Sequence, residues 1–172
     1  MVRSQLPGTG PELNQGKPWD PLGISDMCPY GSMQYEWMRT AEIKHGRVCM
    51  AASVGWLVQE SGLHFPGNLA STPPTSFESL SSLGAFEAWA AVPDAGKAQI
   101  LIAAGILETA NEVQKPHYLN AGLPSMTAST PKKERGLLSE LKNGRLAMIA
   151  VASFIAEVKI DGAVPLLPAS WH

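Results

Sequence analysis

An eleven-residue segment recurs in this chain 98 positions further on, and both copies carry charges just before an apolar run. The first copy, residues 42–52, reads EIKHGRVCMAA, and the second, residues 140–150, reads ELKNGRLAMIA. Six of the eleven positions are identical. Each copy opens a stretch of about 20 residues, which is long enough to cross a bilayer as a helix. The repeat therefore predicts two related helices.

The charges within each copy have the wrong spacing for partners on one helix. Glu42 and Arg47 are five positions apart, as are Glu140 and Arg145. At about 100° per residue, each pair lies about 140° apart around its own helix. Four unpaired charges at the centre of membrane helices would cost about 10 kcal/mol or more. We therefore expect the two copies to exchange partners across a twofold axis, Glu42 with Arg145 and Glu140 with Arg47.

A glycine in each copy, Gly46 and Gly144, fits a close crossing of the two helices, because small residues let helix backbones approach. The alternative is an exposed amphipathic helix whose charges are solvated. Two copies with the same spacing, each followed by an apolar run, favour the crossing.

Composition and periodicity predict one domain covering residues 1–172, with helices at about 38–60, 97–113 and 132–160. Residues 77–91 could form a short surface helix. Proline and glycine concentrate in the connections, and a mean hydropathy near zero suits a few spans joined by polar loops. A net charge of −2 without a basic stripe gives no indication of nucleic-acid binding. For an imported protein, we expect the targeting segment to have been removed already.

The polar residues beside the charges are suited to bind a metal. Glu42 and His45 share a helix face, as do Glu140 and Asn143. A carboxylate neutralised by arginine keeps a second oxygen, while imidazole nitrogen and amide oxygen are neutral donors. Single, separated donors differ from a zinc site and suit a metal with its other positions filled, as in a magnesium chlorin. Alternatively, His45 and Asn143 only form hydrogen bonds between helices.

The motifs ExxHGR and ExxNGRLAM, on the first and third of three helices, resemble those of the chlorophyll-binding light-harvesting antenna family. The resemblance covers about residues 19–62 and 95–162. The sequences EIKHGR and ELKNGRLAMIA are more similar to those of red-lineage antennae, which carry chlorophyll a and c, than to those of the green chlorophyll a/b branch. The resemblance implies an all-α membrane protein with three transmembrane helices. The first and third helices would cross about a pseudo-twofold axis.

The resemblance also implies roles for the residues of the repeat. The axial ligands to chlorophyll magnesium would be Glu42, His45, Glu140 and Asn143. The crossed ion-pair partners would be Arg47 and Arg145. Further cofactor-binding candidates at matching positions are Gln99, Glu108 and Glu157, and Gln59 is a candidate as the repeat mate of Glu157.

Three of these assignments have weaker support from the residues. The family often has glutamine at the position of Glu157, whose charge lacks an obvious arginine. Gln99 and Glu108 could instead be a polar helix end and a loop-facing carboxylate.

Trp19 and Asp20 begin a WDPLG segment that resembles the one holding an end of a central carotenoid. Without the resemblance, that segment is a Pro-Gly turn with an aromatic anchor.

The function implied by the resemblance is that of an antenna, not an enzyme, which transfers excitation energy to a photosystem. Its cofactors would be chlorophyll a, chlorophyll c, fucoxanthin- or peridinin-type and diadinoxanthin-type carotenoids, and lipids. It would lie in the chloroplast thylakoid membrane and cross that membrane several times. Its partners would be neighbouring antenna subunits, thylakoid lipids and a photosystem core, photosystem I in preference to photosystem II. One alternative is a photoprotective relative that dissipates excitation. A distant one is a soluble helical enzyme or adaptor, which no nucleophile–base pair or phosphate loop supports.

Overall fold

The computed structural model describes residues 19–28, 32–113, 131–160 and 162–165. These residues are mostly helical, with one small antiparallel hairpin. The helices are α1 (Ile24–Met27), α2 (Met33–Glu60), α3 (Phe77–Ser81), α4 (Ala85–Ala91), α5 (Asp94–Val113) and α6 (Pro131–Lys159). The strands are β1 (Asn68–Ser71) and β2 (Pro74–Ser76).

Helix α2 begins earlier than the predicted start near residue 38, because a serine caps it. The Ser32 hydroxyl accepts a hydrogen bond from the backbone N–H of Tyr35 at 3.2 Å, which satisfies one of the amides left over at a helix start. At the other end, Gly62 has a left-handed φ of 72° and its N–H donates to the Gln59 carbonyl at 3.0 Å. Glycine adopts this conformation without a steric penalty, so it ends the helix.

The predicted surface helix at 77–91 is wrong as one element, because the structure has two helices there. Ser76 caps α3 by accepting a hydrogen bond from the Ser79 N–H at 3.1 Å. A separate helix, α4, starts after Gly84, and the Glu60 carboxylate accepts the N–H of Ala85 at 3.2 Å. An anion at this position is stabilised by the positive end of the helix dipole. Two distinct start signals therefore divide the segment.

The chain divides into two compact units, and each takes part of α2 and part of α6. The described residues of the first unit are 19–28, 32–50 and 131–149, and those of the second are 51–113, 150–160 and 162–165. The single domain expected over residues 1–172 stays a prediction.

In the first unit, α2 and α6 cross at the predicted glycines. A Cβ added to Gly46 would lie 3.1 Å from the Cα of Gly144, and one added to Gly144 would lie 3.0 Å from the Cα of Gly46. Both glycines are buried, together with Leu141 and Ala147 of α6. The backbones therefore approach as closely as glycine allows.

In the second unit, aromatic side chains pack around the end of α2. The Trp56 ring lies 5.3 Å from Phe86 in an edge-on contact and 5.4 Å from Phe154, measured between ring centroids. Leu80 and Ala88 are the buried hydrophobic residues of the described part of this unit. The indole N–H of Trp56 is buried and has no hydrogen-bond partner among the described residues.

Large apolar side chains lie exposed on the long helices. Helix α5 has no buried residue, and Leu101 and Ile106 are 70% and 64% exposed. Among the described helices, none taken singly combines the length and hydropathy of a membrane span, whereas α4 and α5 meet the criteria as a pair bent by 102°.

Candidate functional site

Two reciprocal ion pairs connect α2 and α6 at the crossing. Arg47 donates from Nε to Oε1 of Glu140 at 2.5 Å. Arg145 donates from Nε to Oε1 of Glu42 at 2.8 Å, and its Nη2 lies 2.7 Å from the same oxygen. These are the two pairings that the five-residue spacing predicts. Each helix therefore supplies the cation that neutralises the acid of the other.

A third arginine, which the sequence reasoning missed, also binds Glu42. Arg39 lies one turn earlier on α2 and donates from Nη1 to Oε2 of Glu42 at 2.5 Å. The expectation that each carboxylate keeps a second oxygen free is therefore wrong for Glu42. The signal was present in the sequence, because Arg39 and Glu42 have the i,i+3 spacing that partners on one helix require.

His45 and Asn143 direct their hydrogens back to their own helices. His45 Nδ1 donates to the Ala41 carbonyl at 2.7 Å, so the lone pair of the neutral ring is on Nε2. Asn143 Nδ2 donates to the carbonyl and the hydroxyl of Ser139 at 2.8 and 3.1 Å. In both copies the partner lies four residues earlier, and both side chains are exposed. The acceptor atoms left without a hydrogen bond from the described residues are therefore Nε2 of His45 and Oδ1 of Asn143.

This donor set fits the magnesium of a tetrapyrrole, which needs only one ligand from the protein. A backbone carbonyl that holds the second ring nitrogen is the usual way in which a ligating histidine is oriented. Among the described residues, no three His, Cys, Asp or Glu side chains gather into one metal cluster. The ligand roles of Glu42, His45, Glu140 and Asn143 stay predictions.

Gln59 and Glu157 correspond to each other under the 98-residue offset of the repeat, but they bind different backbone groups. Gln59 donates from Nε2 to the carbonyls of Leu80 and Leu83 at 2.7 and 3.0 Å. The buried carboxylate of Glu157 instead accepts two backbone N–H groups that follow α6, those of Gly162 at 3.1 Å and Val164 at 2.7 Å. The Gln59 side-chain oxygen receives no hydrogen bond from the described residues, whereas both oxygens of Glu157 bind backbone N–H groups.

The remaining predicted residues belong to α5 or precede α1. Gln99 and Glu108 are exposed on α5. Asp20 Oδ1 accepts the N–H of Ile24 at 3.0 Å and so stabilises the start of α1, while Trp19 is 77% exposed. The roles of these residues toward pigments stay predictions.

The two helices cross at glycines, and each arginine pairs with an acid of the other helix. Uncharged side chains that could each give a metal one ligand atom lie nearby. This arrangement is the one expected of a helical protein that holds metal tetrapyrroles. Comparison with known proteins agrees with this class. Residues 2–159 match the sequence model of the family described as "Chlorophyll A-B binding protein".

Two relatives come from different organisms. The fucoxanthin-chlorophyll a-c binding protein A of Phaeodactylum tricornutum is 33% identical over 162 residues, covering 87% of this chain and 77% of the relative. A fucoxanthin-chlorophyll a-c binding protein of Chattonella marina var. antiqua is 35% identical over 145 residues, covering 84% of this chain and 65% of the relative. The chain therefore belongs to the chlorophyll-binding light-harvesting antenna family, in its red-lineage branch, which confirms the resemblance drawn from the two motifs.

Proposed function

We propose that this protein is a light-harvesting antenna subunit that binds chlorophylls and carotenoids and transfers excitation energy to a photosystem. Membership of the family, over residues 2–159, supports the light-harvesting role. The observation in this chain that carries the proposal is the crossing of α2 and α6. There the reciprocal pairs Arg47–Glu140 and Arg145–Glu42 neutralise the acids between helices that expose much apolar surface.

Bound chlorophyll would supply the light-absorbing ring and a magnesium ion with a coordination position for a ligand from the protein. The lone pairs of His45 Nε2 and Asn143 Oδ1 fit that position without adding charge, because their hydrogens are bound within their own helices. Glu140 offers Oε2, while Arg47 on Oε1 balances its charge. No covalent chemistry follows from this arrangement, and we propose no enzymatic activity. The residues fix the position of each ring and the charge around it.

The proposed pigments are chlorophyll a and c with carotenoids of the fucoxanthin or peridinin type and of the diadinoxanthin type. The names of the relatives in Phaeodactylum tricornutum, which include fucoxanthin and chlorophyll a-c, support this choice over a chlorophyll a/b set. Lipids would cover apolar side chains that remain exposed, such as those of α5.

The proposed location is the thylakoid membrane of the chloroplast, crossed by α2, α5 and α6. The chloroplastic relatives support the organelle. Pairing of the charges at the crossing supports burial of that region, because an unpaired charge in lipid costs about 2.5–3.5 kcal/mol. The proposed partners are neighbouring antenna subunits and a photosystem core, photosystem I in preference to photosystem II.

The test is to refold the full chain in detergent with chlorophyll a, chlorophyll c and carotenoid, and then to purify it. We expect several pigments per polypeptide by chromatography of the extract. Exciting the carotenoid or chlorophyll c should produce chlorophyll a fluorescence. A colourless product, or pigments that fluoresce independently, would contradict the proposal. A short excited-state lifetime in the pigmented complex would indicate dissipation in place of energy delivery.

A further inference from the structure

Glu42 and Glu140 occupy the same position in the two repeat copies, yet their surroundings differ. Arg145 binds Oε1 of Glu42 and Arg39 binds Oε2. At Glu140, Arg47 binds Oε1, and no hydrogen bond from the described residues reaches Oε2. Two guanidinium groups therefore bind Glu42, whereas one binds Glu140.

The sequence explains why Glu42 has a second arginine and Glu140 does not. Arg39 precedes Glu42 by three residues, and the corresponding position of the second copy, three residues before Glu140, is Leu137. The Arg39 side chain is only 14% exposed and that of Glu42 is 25% exposed. Solvent therefore screens this contact less than it screens an ordinary surface pair.

From this geometry we infer that Arg39 makes the two acid sites unequal as pigment ligands. Glu42 is the weaker ligand for a magnesium tetrapyrrole, and the ring beside it lies in a more positive environment than the ring beside Glu140. The inference rests on the proposed pigment binding. Arg39 acts through Glu42 and is therefore a positioning residue.

Two physical effects connect Arg39 to the pigment. A carboxylate oxygen that accepts an N–H from a cation has less electron density to share with a metal, and one of its lone-pair directions is occupied. A fixed charge near a ring also shifts its absorption band, because the charge distribution of the ring changes on excitation. The first effect alters retention of the pigment, and the second alters its spectrum.

The experiment compares Arg39→Gln, Arg39→Lys and Leu137→Arg in the full chain, refolded with chlorophyll a and carotenoid in detergent. Arg39→Gln should slow the release of one chlorophyll by about two- to fivefold, the range expected when one partly screened ion pair is removed. The same variant should shift one red absorption band at low temperature. Arg39→Lys keeps the charge and should restore the wild-type spectrum. Leu137→Arg should speed the release of a different chlorophyll by a similar factor.

The outcomes separate this inference from the proposed function. If the wild-type chain binds no chlorophyll, the proposed function fails. If the wild type binds chlorophyll but Arg39→Gln and Arg39→Lys behave alike, Arg39 has only a structural role and the inference is wrong. Should Arg39→Gln fail to fold, Leu137→Arg decides the matter, because unchanged release and an unchanged spectrum in that variant would overturn the inference.

Discussion

At the scale of single residues, Gln59 and Glu157 show how one repeat position takes different side chains. Gln59 faces two carbonyls and donates to both, whereas Glu157 faces two backbone N–H groups and accepts from both. Glu157→Gln would keep one acceptor oxygen but turn its amide hydrogens toward the other backbone N–H inside a buried site. We expect a loss of about 1–3 kcal/mol in stability, the cost of a buried polar group left unsatisfied. Thermal melting of the pigmented complex measures it.

The matched control for that variant is Glu87→Gln on α4. Glu87 is exposed, and surface substitutions usually change stability by about 0.5 kcal/mol or less. Equal melting temperatures for Glu157→Gln and Glu87→Gln would mean that the two backbone bonds contribute nothing measurable.

Variants of Glu140 and Asn143 distinguish pigment binding from stabilisation of the crossing, because only Glu140 forms an ion pair with Arg47. Glu140→Ala leaves Arg47 without its partner across the crossing, whereas Asn143→Ala removes only bonds to Ser139 on its own helix. Glu140→Ala should therefore lower stability by about 1–2 kcal/mol more than Asn143→Ala, allowing for partial exposure of the pair. Both variants should lose a chlorophyll, as pigment stoichiometry would show.

The double variant Arg47→Ala with Glu140→Ala completes a cycle for this pair. Because it removes the stranded cation as well, it should melt closer to wild type than Glu140→Ala alone, yet it should still lack the pigment. Equal stability of Glu140→Ala and Asn143→Ala would count against the crossed pairing.

The sequence predicts some residue contacts better than others, and the reason is geometric. A five-residue separation rules out pairing within one helix, so the partners Arg47–Glu140 and Arg145–Glu42 could be deduced from the repeat. The bonds of Glu157 could not, because they depend on where the chain turns after α6. Sequence spacing fixes relations along a helix but says little about the segment beyond its end.

At the scale of elements, the distance between α2 and α6 depends on Gly46 and Gly144. In Gly46→Ala the new Cβ would lie 3.1 Å from the Cα of Gly144, and a backbone atom cannot move away as a flexible side chain can. We expect a cost of about 1–3 kcal/mol from overpacking. Gly55→Ala on the same helix is the matched control, because nothing lies within 4 Å of its added Cβ.

Gly55→Ala should instead gain up to about 1 kcal/mol from the higher helix propensity of alanine. The difference between the two melting temperatures therefore isolates the crossing from helix propensity. If Gly46→Ala were stabilised as much as Gly55→Ala, the helices would not need glycine at their contact.

Element boundaries show a similar division between what the sequence predicts and what it does not. The apolar runs locate the long helices α2, α5 and α6, because their periodicity extends over many turns. The hairpin of β1 and β2 lies within a segment expected to be only a polar connection, since strands of four and three residues are too short to show an alternating pattern. Caps such as Ser32 and Glu60 then set boundaries that hydropathy alone misses.

At the scale of the whole molecule, the described residues contain little apolar core. Leu80, Ala88, Leu141 and Ala147 are their buried hydrophobic residues, while α5 buries none. So few buried side chains cannot offset the conformational entropy of ordering long helices. We therefore expect bound pigments and lipids to supply most of the missing contacts.

Removal of pigment should accordingly destabilise the tertiary structure more than the helices. A ligand present at one hundred times its Kd adds about 2.7 kcal/mol per site, so several pigments together would contribute about as much as the whole stability of a typical domain. After extraction of the pigments in detergent, we expect the near-ultraviolet circular dichroism to collapse while much of the far-ultraviolet helical signal remains. Adding chlorophyll and carotenoid back should restore both, whereas mock extraction in the same detergent should change neither. A pigment-free chain that keeps a cooperative melt at the original temperature would mean that the polypeptide is stable without them, and the exposed apolar helices would then need another explanation.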